Sequence, residues 1–165
     1  MRNKIYRAVF LILALFILVS GISIETRAET EQSASISSNP SLIFRVGDQN
    51  YYINGEPKES HEPAFFQFDH LYISLRDVSD AIGAELTWDF NTTIMTKDNV
   101  KLVTTCFVSA ILVSIDGNER IFDIDGEPSR SDDRICLPYQ SVLPYFGYSC
   151  IYDANSQSIF CEETV

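Results

Sequence analysis

Two histidines, His61 and His70, four cysteines, Cys106, Cys136, Cys150 and Cys161, and the acidic run Asp123-Ile124-Asp125-Gly126-Glu127 are the residues of this 165-residue chain whose types could carry chemistry. Histidine and thiolate serve as metal ligands, bases or nucleophiles. The two histidines stand nine residues apart in turn-rich sequence, and both read as exposed loop residues. No cysteine pair has the C-x-x-C spacing of a zinc site. The run 123–127 faintly resembles a calcium loop. It lacks a third oxygen residue before Gly126 and a closing glutamate, and Asp132 and Asp133 are the further donors within reach. No metal or cofactor is assigned. No G-x-S-x-G, phosphate-loop or H-E-x-x-H string occurs, and no Ser-His-Asp or Cys-His set is evident. So acidic a chain offers paired carboxylates almost anywhere, so they carry no weight. The expectation is a non-catalytic protein.

Two further groups deserve placement. Arg76, with Asp77 and Asp80 beside it, falls in the first turn of a short helix, where it is expected to pair with a carboxylate or backbone carbonyls and fix the loop. Aromatic residues crowd 51–90. Trp88 alternates with Leu86 on one strand face and is expected in the core. Phe65, Phe66 and Phe68 lie in a loop region and are the candidate exposed patch, which could stack on sugars.

The elements that position these residues occur twice. Gly55 matches Gly117, Pro63 matches Pro128, and residues 71–76 (LYISLR) match 135–140 (ICLPYQ). Gly83 matches Gly147, and Trp88-Asp89 matches Tyr152-Asp153. In each copy an apolar strand runs into Asn-Gly or Asp-Gly, a pair that tolerates the positive φ of a tight hairpin. A Pro-containing irregular stretch follows, then a short strand. In the first copy Ser74 caps a helix, with Asp77 three residues on as a weak capping box. Leu75, Val78 and Ile82 share one helical face, and Gly83 is a left-handed stop. Residues 85–88 alternate as a half-buried strand, 89–92 turn, and 93–96 return. In the second copy Pro144 removes a backbone donor inside the helix, so that helix is expected short, kinked or partly 3₁₀. Residues 100–115 are β-branched and nearly uncharged, and are expected to form two strands around 108–110. The fold class is therefore α+β, two tandem units at 41–99 and 100–165, each of hairpins and a short strand with one short helix packed on the sheet. Without a Gly or Pro linker between them, the units are expected to pack side by side as one rigid body.

An even cysteine count in an exported chain implies disulfides, and four cysteines allow three pairings. Cys150 takes the place of Leu86 in the repeat register, an inward site, and Cys161 falls opposite it in the last hairpin. A Cys150–Cys161 bridge is expected there, leaving Cys106 with Cys136.

Arg2, Lys4 and Arg7 precede an apolar run at 8–19, followed by small polar residues and a Thr26-Arg27-Ala28 cleavage pattern. Residues 1–28 thus read as a secretory signal peptide, with a retained membrane anchor as the alternative. Residues 29–40 are rich in Glu, Ser and Thr and read as a flexible tether. The folded part is expected outside the cytoplasm. The net charge of −11 argues against nucleic acid and against anionic membrane surfaces, so no membrane contact is expected beyond that N-terminal segment.

The first copy, YISLRDVSDAIGAELTWD, resembles the copper amine oxidase N-terminal-like domain, also called the stalk domain, with Ser74 where that family usually has proline. ICLPYQSVLPYFGYSCIYD is similar but poorer, with Gln140 for the arginine and Tyr152 for the tryptophan. The resemblance covers about 44–162 and marks Arg76, Gly83 and Trp88 as structural residues. It implies an appendage rather than a catalytic domain. Similar domains occur, often in pairs, in exported proteins of Gram-positive bacteria beside envelope-acting modules. It implies no copper, since an oxidase centre needs three histidines and a quinone-forming tyrosine. The expected function is an exported binding or spacer module of the cell envelope, with an unknown protein or a wall glycan as partner. The alternatives are a secreted inhibitor or sensor gripping one protein, and a wall-acting hydrolase.

Overall fold

The computed structural model describes residues 41–164 apart from 132–133, so the expected signal peptide or anchor at 1–28 and the tether at 29–40 lie outside the described residues. Fourteen strands are described, in three antiparallel sheets. The first sheet begins with β1 (Leu42–Arg45), β2 (Asn50–Ile53) and β3 (Glu56–Glu59). β4 (Phe65–Gln67) and β5 (His70–Ser74) lead into helix α1 (Leu75–Ile82). β6 (Glu85–Asp89) and β7 (Thr92–Lys97) form the next hairpin. The order then repeats as β8 (Val100–Thr105), β9 (Ala110–Ile115) and β10 (Asn118–Asp123), then β11 (Ser129–Ser131) and β12 (Arg134–Pro138). Two 3₁₀ turns, Tyr139–Ser141 and Leu143–Phe146, precede β13 (Tyr148–Asp153) and β14 (Ser158–Glu163).

Local signals explain the turns. Asn54 and Gly55 both take positive φ between Ile53 and Glu56, and Asp116 and Gly117 do so between Ile115 and Asn118, as a two-residue hairpin on right-twisted strands requires. The Ser74 hydroxyl accepts the Asp77 N–H at 3.4 Å, and Gly83, at φ 70°, donates its N–H to the Ser79 carbonyl. The expected start and stop of the helix are both present. Residues 100–115 form two strands, β8 and β9, as their composition indicates.

The second copy's helix, expected short, kinked or partly 3₁₀, is 3₁₀, so the α-helix expected in each copy is corrected to one in the first copy among the described residues. Opposite α1 the chain makes two 3₁₀ turns, broken at Val142. Pro144 near the start of the second turn accounts for this, because it cannot donate to an i−4 carbonyl. Val142 and Leu143 are still fully buried, so the apolar face survives without the helix.

The sheets are shared across the chain. Their strand orders are β13-β14-β1-β2-β3, β10-β9-β8-β7-β6 and β11-β12-β5-β4. The closing hairpin β6–β7 lies beside β8, and the closing hairpin β13–β14 lies beside β1. Lys97 and Val100 flank the two-residue turn that ties β7 to β8, whereas β14 and β1 meet only through pairing, Cys161 opposite Leu42. In the third sheet Ile73 faces Leu137, the residue it matches in the repeat. All three sheets therefore take strands from both sides of residue 99, rather than each side forming its own sheets. One cluster of buried side chains, including Leu42, Phe44, Ile73, Val78, Met95, Leu102, Leu137, Val142 and Ile159, runs through all of them. Each such aliphatic side chain contributes about 1.5–3 kcal/mol relative to exposure.

Candidate functional site

A groove of about 570 Å³ is lined by α1, β6, β7 and the β6–β7 turn on one side and by β11 and β12 on the other. Its aromatic residues are Trp88 on β6 and Phe90 in the turn after it. Its charged residues are Arg76 on α1, Arg130 on β11 and Arg134 on β12. Three of the eight Lys and Arg residues of 41–165 thus meet there, and no Asp or Glu is among the described lining residues. The Arg76 guanidinium lies over the Trp88 ring, 5.3 Å from its centroid, a geometry that suits a cation on the negative face of an aromatic ring. Arg134 is placed by Glu62, 3.5 Å from its Nη1.

This arrangement corrects the reading of Trp88 as a core residue. Its side chain is 67% exposed. Leu86, two residues earlier on the same strand face, packs against the core. The strand runs past the end of the core, so Trp88 faces the groove instead. Arg76, expected to pair with a carboxylate or backbone carbonyls, stacks on this ring.

The proposed aromatic patch divides. Phe65 stacks on Tyr72 at 5.5 Å and is half-buried. Phe66 points the other way and meets Tyr152 edge-on at 5.6 Å and 82°. Phe68, at φ 49° in the β4–β5 turn, is 83% exposed. The three do not form one surface.

His61 is an exposed loop residue as expected, and it also belongs to a polar clamp. Asp77 is buried, and its Oδ1 lies 2.7 Å from His61 Nδ1 and accepts the His61 backbone N–H at 2.9 Å. Its Oδ2 accepts the Ser60 hydroxyl. Serine, histidine and aspartate meet, but the serine bonds the aspartate and not the imidazole, so the histidine does not activate it. The clamp ties the segment after β3 to the first turn of α1. No sequence pattern marks it, because Ser60 and Asp77 are 17 residues apart.

In the run 123–127 the acidic side chains are exposed, and Ile124, Gly126 and the Glu127 carbonyl pack. Gly126 takes φ +106°, and a side chain there would collide with Tyr72 Oη, whose hydroxyl donates to the Glu127 carbonyl at 3.0 Å. Asp132 and Asp133 lie outside the described residues. Among the described residues no three His, Cys, Asp or Glu converge on a metal position. A copper centre does not fit, with His61 held by Asp77 and His70 opening β5 beside Gly126. Among the described residues no helix is long and apolar enough to cross a membrane.

Cys150 and Cys161 face each other across β13 and β14 and are disulfide-bonded, as the hairpin register indicates. The second expected bridge is corrected: Cys106 and Cys136 are both buried free thiols. Cys106 lines the groove, whereas Cys136 lies in the middle of the third sheet opposite Ser74 and Ser129. Burial, with Glu62 and Asp77 nearby, pushes the Cys136 thiol from its ordinary 9.0 up to about 12. The folded protein thus holds a proton that the unfolded chain releases above pH 9, and stability falls as pH rises from about 9 to 12. Buried Tyr51, Tyr72 and Tyr139, raised in the same way, act in the same direction. Denaturant midpoints should be level up to about pH 8.5 and decline above it. The unreduced protein should titrate two thiols in denaturant. A titration of none would restore the second bridge.

An antiparallel β-rich fold with one α-helix among the described residues is compatible with the α+β class, and its groove is lined by arginines and aromatic rings. The family model described as the copper amine oxidase N-terminal domain matches residues 9–97 and again 69–161, and the chain belongs to that family, with two tandem copies. In the oxidases this domain is non-catalytic, which makes the present chain a stalk-like module. Comparison with curated proteins and with solved structures gave no match.

Proposed function

We propose that this protein is an exported, non-catalytic module of the cell envelope, of the stalk-domain type, that binds wall material through the groove around Trp88. In this reading residues 1–28 direct export, 29–40 form a tether, and the two copies share their sheets so that the groove is held rigidly between them. The carrying observation is that the chain's one tryptophan is 67% exposed under an arginine. Trp88 and Phe90, both exposed, line the same concave site, and contiguous exposed aromatic surface in a cleft marks an interaction site. The Cys150–Cys161 bridge suits an oxidising compartment outside the cytoplasm.

Co-sedimentation with purified cell wall is the test. The protein should pellet with the wall, and Trp88→Ala should remain in the supernatant with an unchanged melting temperature. Wild type left in the supernatant sinks the reading. Release of soluble wall fragments by the pure protein would put the hydrolase alternative first. The inhibitor or sensor alternative draws on Phe68, Phe107 and Ile121, each more than 70% exposed. It predicts capture of one secreted protein without wall binding.

A further inference from the structure

The groove has a counterpart on the other side of the fold. Leu71 matches Ile135 in the repeat, and strand pairing sets Phe66 opposite Leu71 and Arg130 opposite Ile135. Phe66 thus stands where Arg130 stands, His70 where Arg134 stands, Gln140 where Arg76 stands, and Tyr152 where Trp88 stands. On that side the Phe66 ring packs edge-on against Tyr152, and no arginine occupies a matching position. Two similar sites have therefore diverged. One brings two aromatic rings into contact, while the other sets three arginines around an exposed indole.

We infer that the groove takes an acidic saccharide: an apolar sugar face laid on Trp88 and Phe90, with its carboxylate or phosphate held by Arg76. This rests on the wall-binding reading and names the ligand class within it. The net charge is −11, so the surface as a whole repels an anion, and a site that takes one needs locally placed cations such as Arg76. A planar guanidinium fixed over an indole sets an anion-binding fork beside a stacking face. Arginine pairs with carboxylate or phosphate through two parallel hydrogen bonds, which gives orientation as well as energy.

Calorimetric titration of the purified protein tests this with four probes: a carboxylated glycan oligomer, the same oligomer with its carboxylates reduced to alcohols, a phosphorylated glycan oligomer, and poly-glutamate as an anion without a sugar ring. One of the two anionic oligomers should bind, and the choice between them identifies the anion. The reduced oligomer should bind about tenfold more weakly or not at all. Arg76→Ala and Trp88→Ala should each weaken binding about tenfold or more. Arg76→Lys should recover part of the loss, because the charge remains without the planar stack. Gln140→Ala and Tyr152→Ala, on the other side, should bind as wild type. Equal affinity for the charged and reduced oligomers overturns the inference. So does affinity for poly-glutamate but for neither anionic oligomer. Wall binding that survives Arg76→Ala and Trp88→Ala overturns the inference and leaves wall binding standing, whereas absence of any wall binding removes both.

Discussion

Asp77→Ala lowers the unfolding free energy by about 3 kcal/mol, within the range for removing one partner of a buried charged network. Three donors converge on this carboxylate, the Ser60 hydroxyl, the His61 N–H and the His61 imidazole, and alanine leaves all three unanswered. In a domain of this size the melting temperature should fall by about 10 °C. Asparagine keeps an acceptor for the His61 N–H and can donate to Ser60, so Asp77→Asn should lose about half as much. Asp80, also near His61 at 3.9 Å but half-exposed, provides the contrast: Asp80→Ala should change stability by less than about 0.5 kcal/mol. An Asp77→Ala protein as stable as wild type would show that the clamp does not hold α1 to the segment after β3. The groove would be affected too, because Arg76 precedes Asp77 on the same helical turn.

The second large effect belongs to the bridge between β13 and β14. Cys150 and Cys161 are 11 residues apart, and closing a loop of that length restricts the unfolded chain by about 3 kcal/mol. The Cys150→Ala/Cys161→Ala double variant should therefore melt about 10 °C lower, and wild type in strong reductant should fall to the same value. The position of the bridge adds to its weight. β14 pairs with β1 at Leu42–Cys161 without the covalent turn that joins β7 to β8, so the bridge stiffens the one hairpin that closes the first sheet by pairing alone. Unchanged melting on reduction would mean that sheet closure does not depend on it.

Local signals were legible in the sequence, and long-range partnerships were not. Asn54-Gly55, Asp116-Gly117, the Ser74 cap, the Gly83 stop and the loss of α-helix around Pro144 each act within a few residues, and each appears where the sequence puts it. The Cys150–Cys161 pair follows from a hairpin register, also a local feature. The Asn54-Gly55 turn implied a return strand, but the extent of β3 was hidden, because Glu56–Glu59 is exposed throughout and has no alternating pattern. Its Pro57 is tolerated on an edge strand. β4 and β11 are three residues each, too short for periodicity to register. The exchange of hairpins between sheets was equally invisible, since a strand's pattern tells which face is apolar but not which strand lies beside it. Trp88 illustrates the limit best. Its alternation with Leu86 correctly placed both on one face, but only the path of the strand past the core reveals that this face ends in a groove.

Fluorescence of Trp88 tests the central claim most directly, because it is the only tryptophan in the chain and lines the groove. Emission should be that of a water-exposed indole and should be quenched efficiently by acrylamide. Addition of solubilised acidic wall fragments should shift it to the blue and protect it from quencher. A blue, quencher-resistant emission in the free protein, or one that wall fragments leave unaltered, would contradict the account.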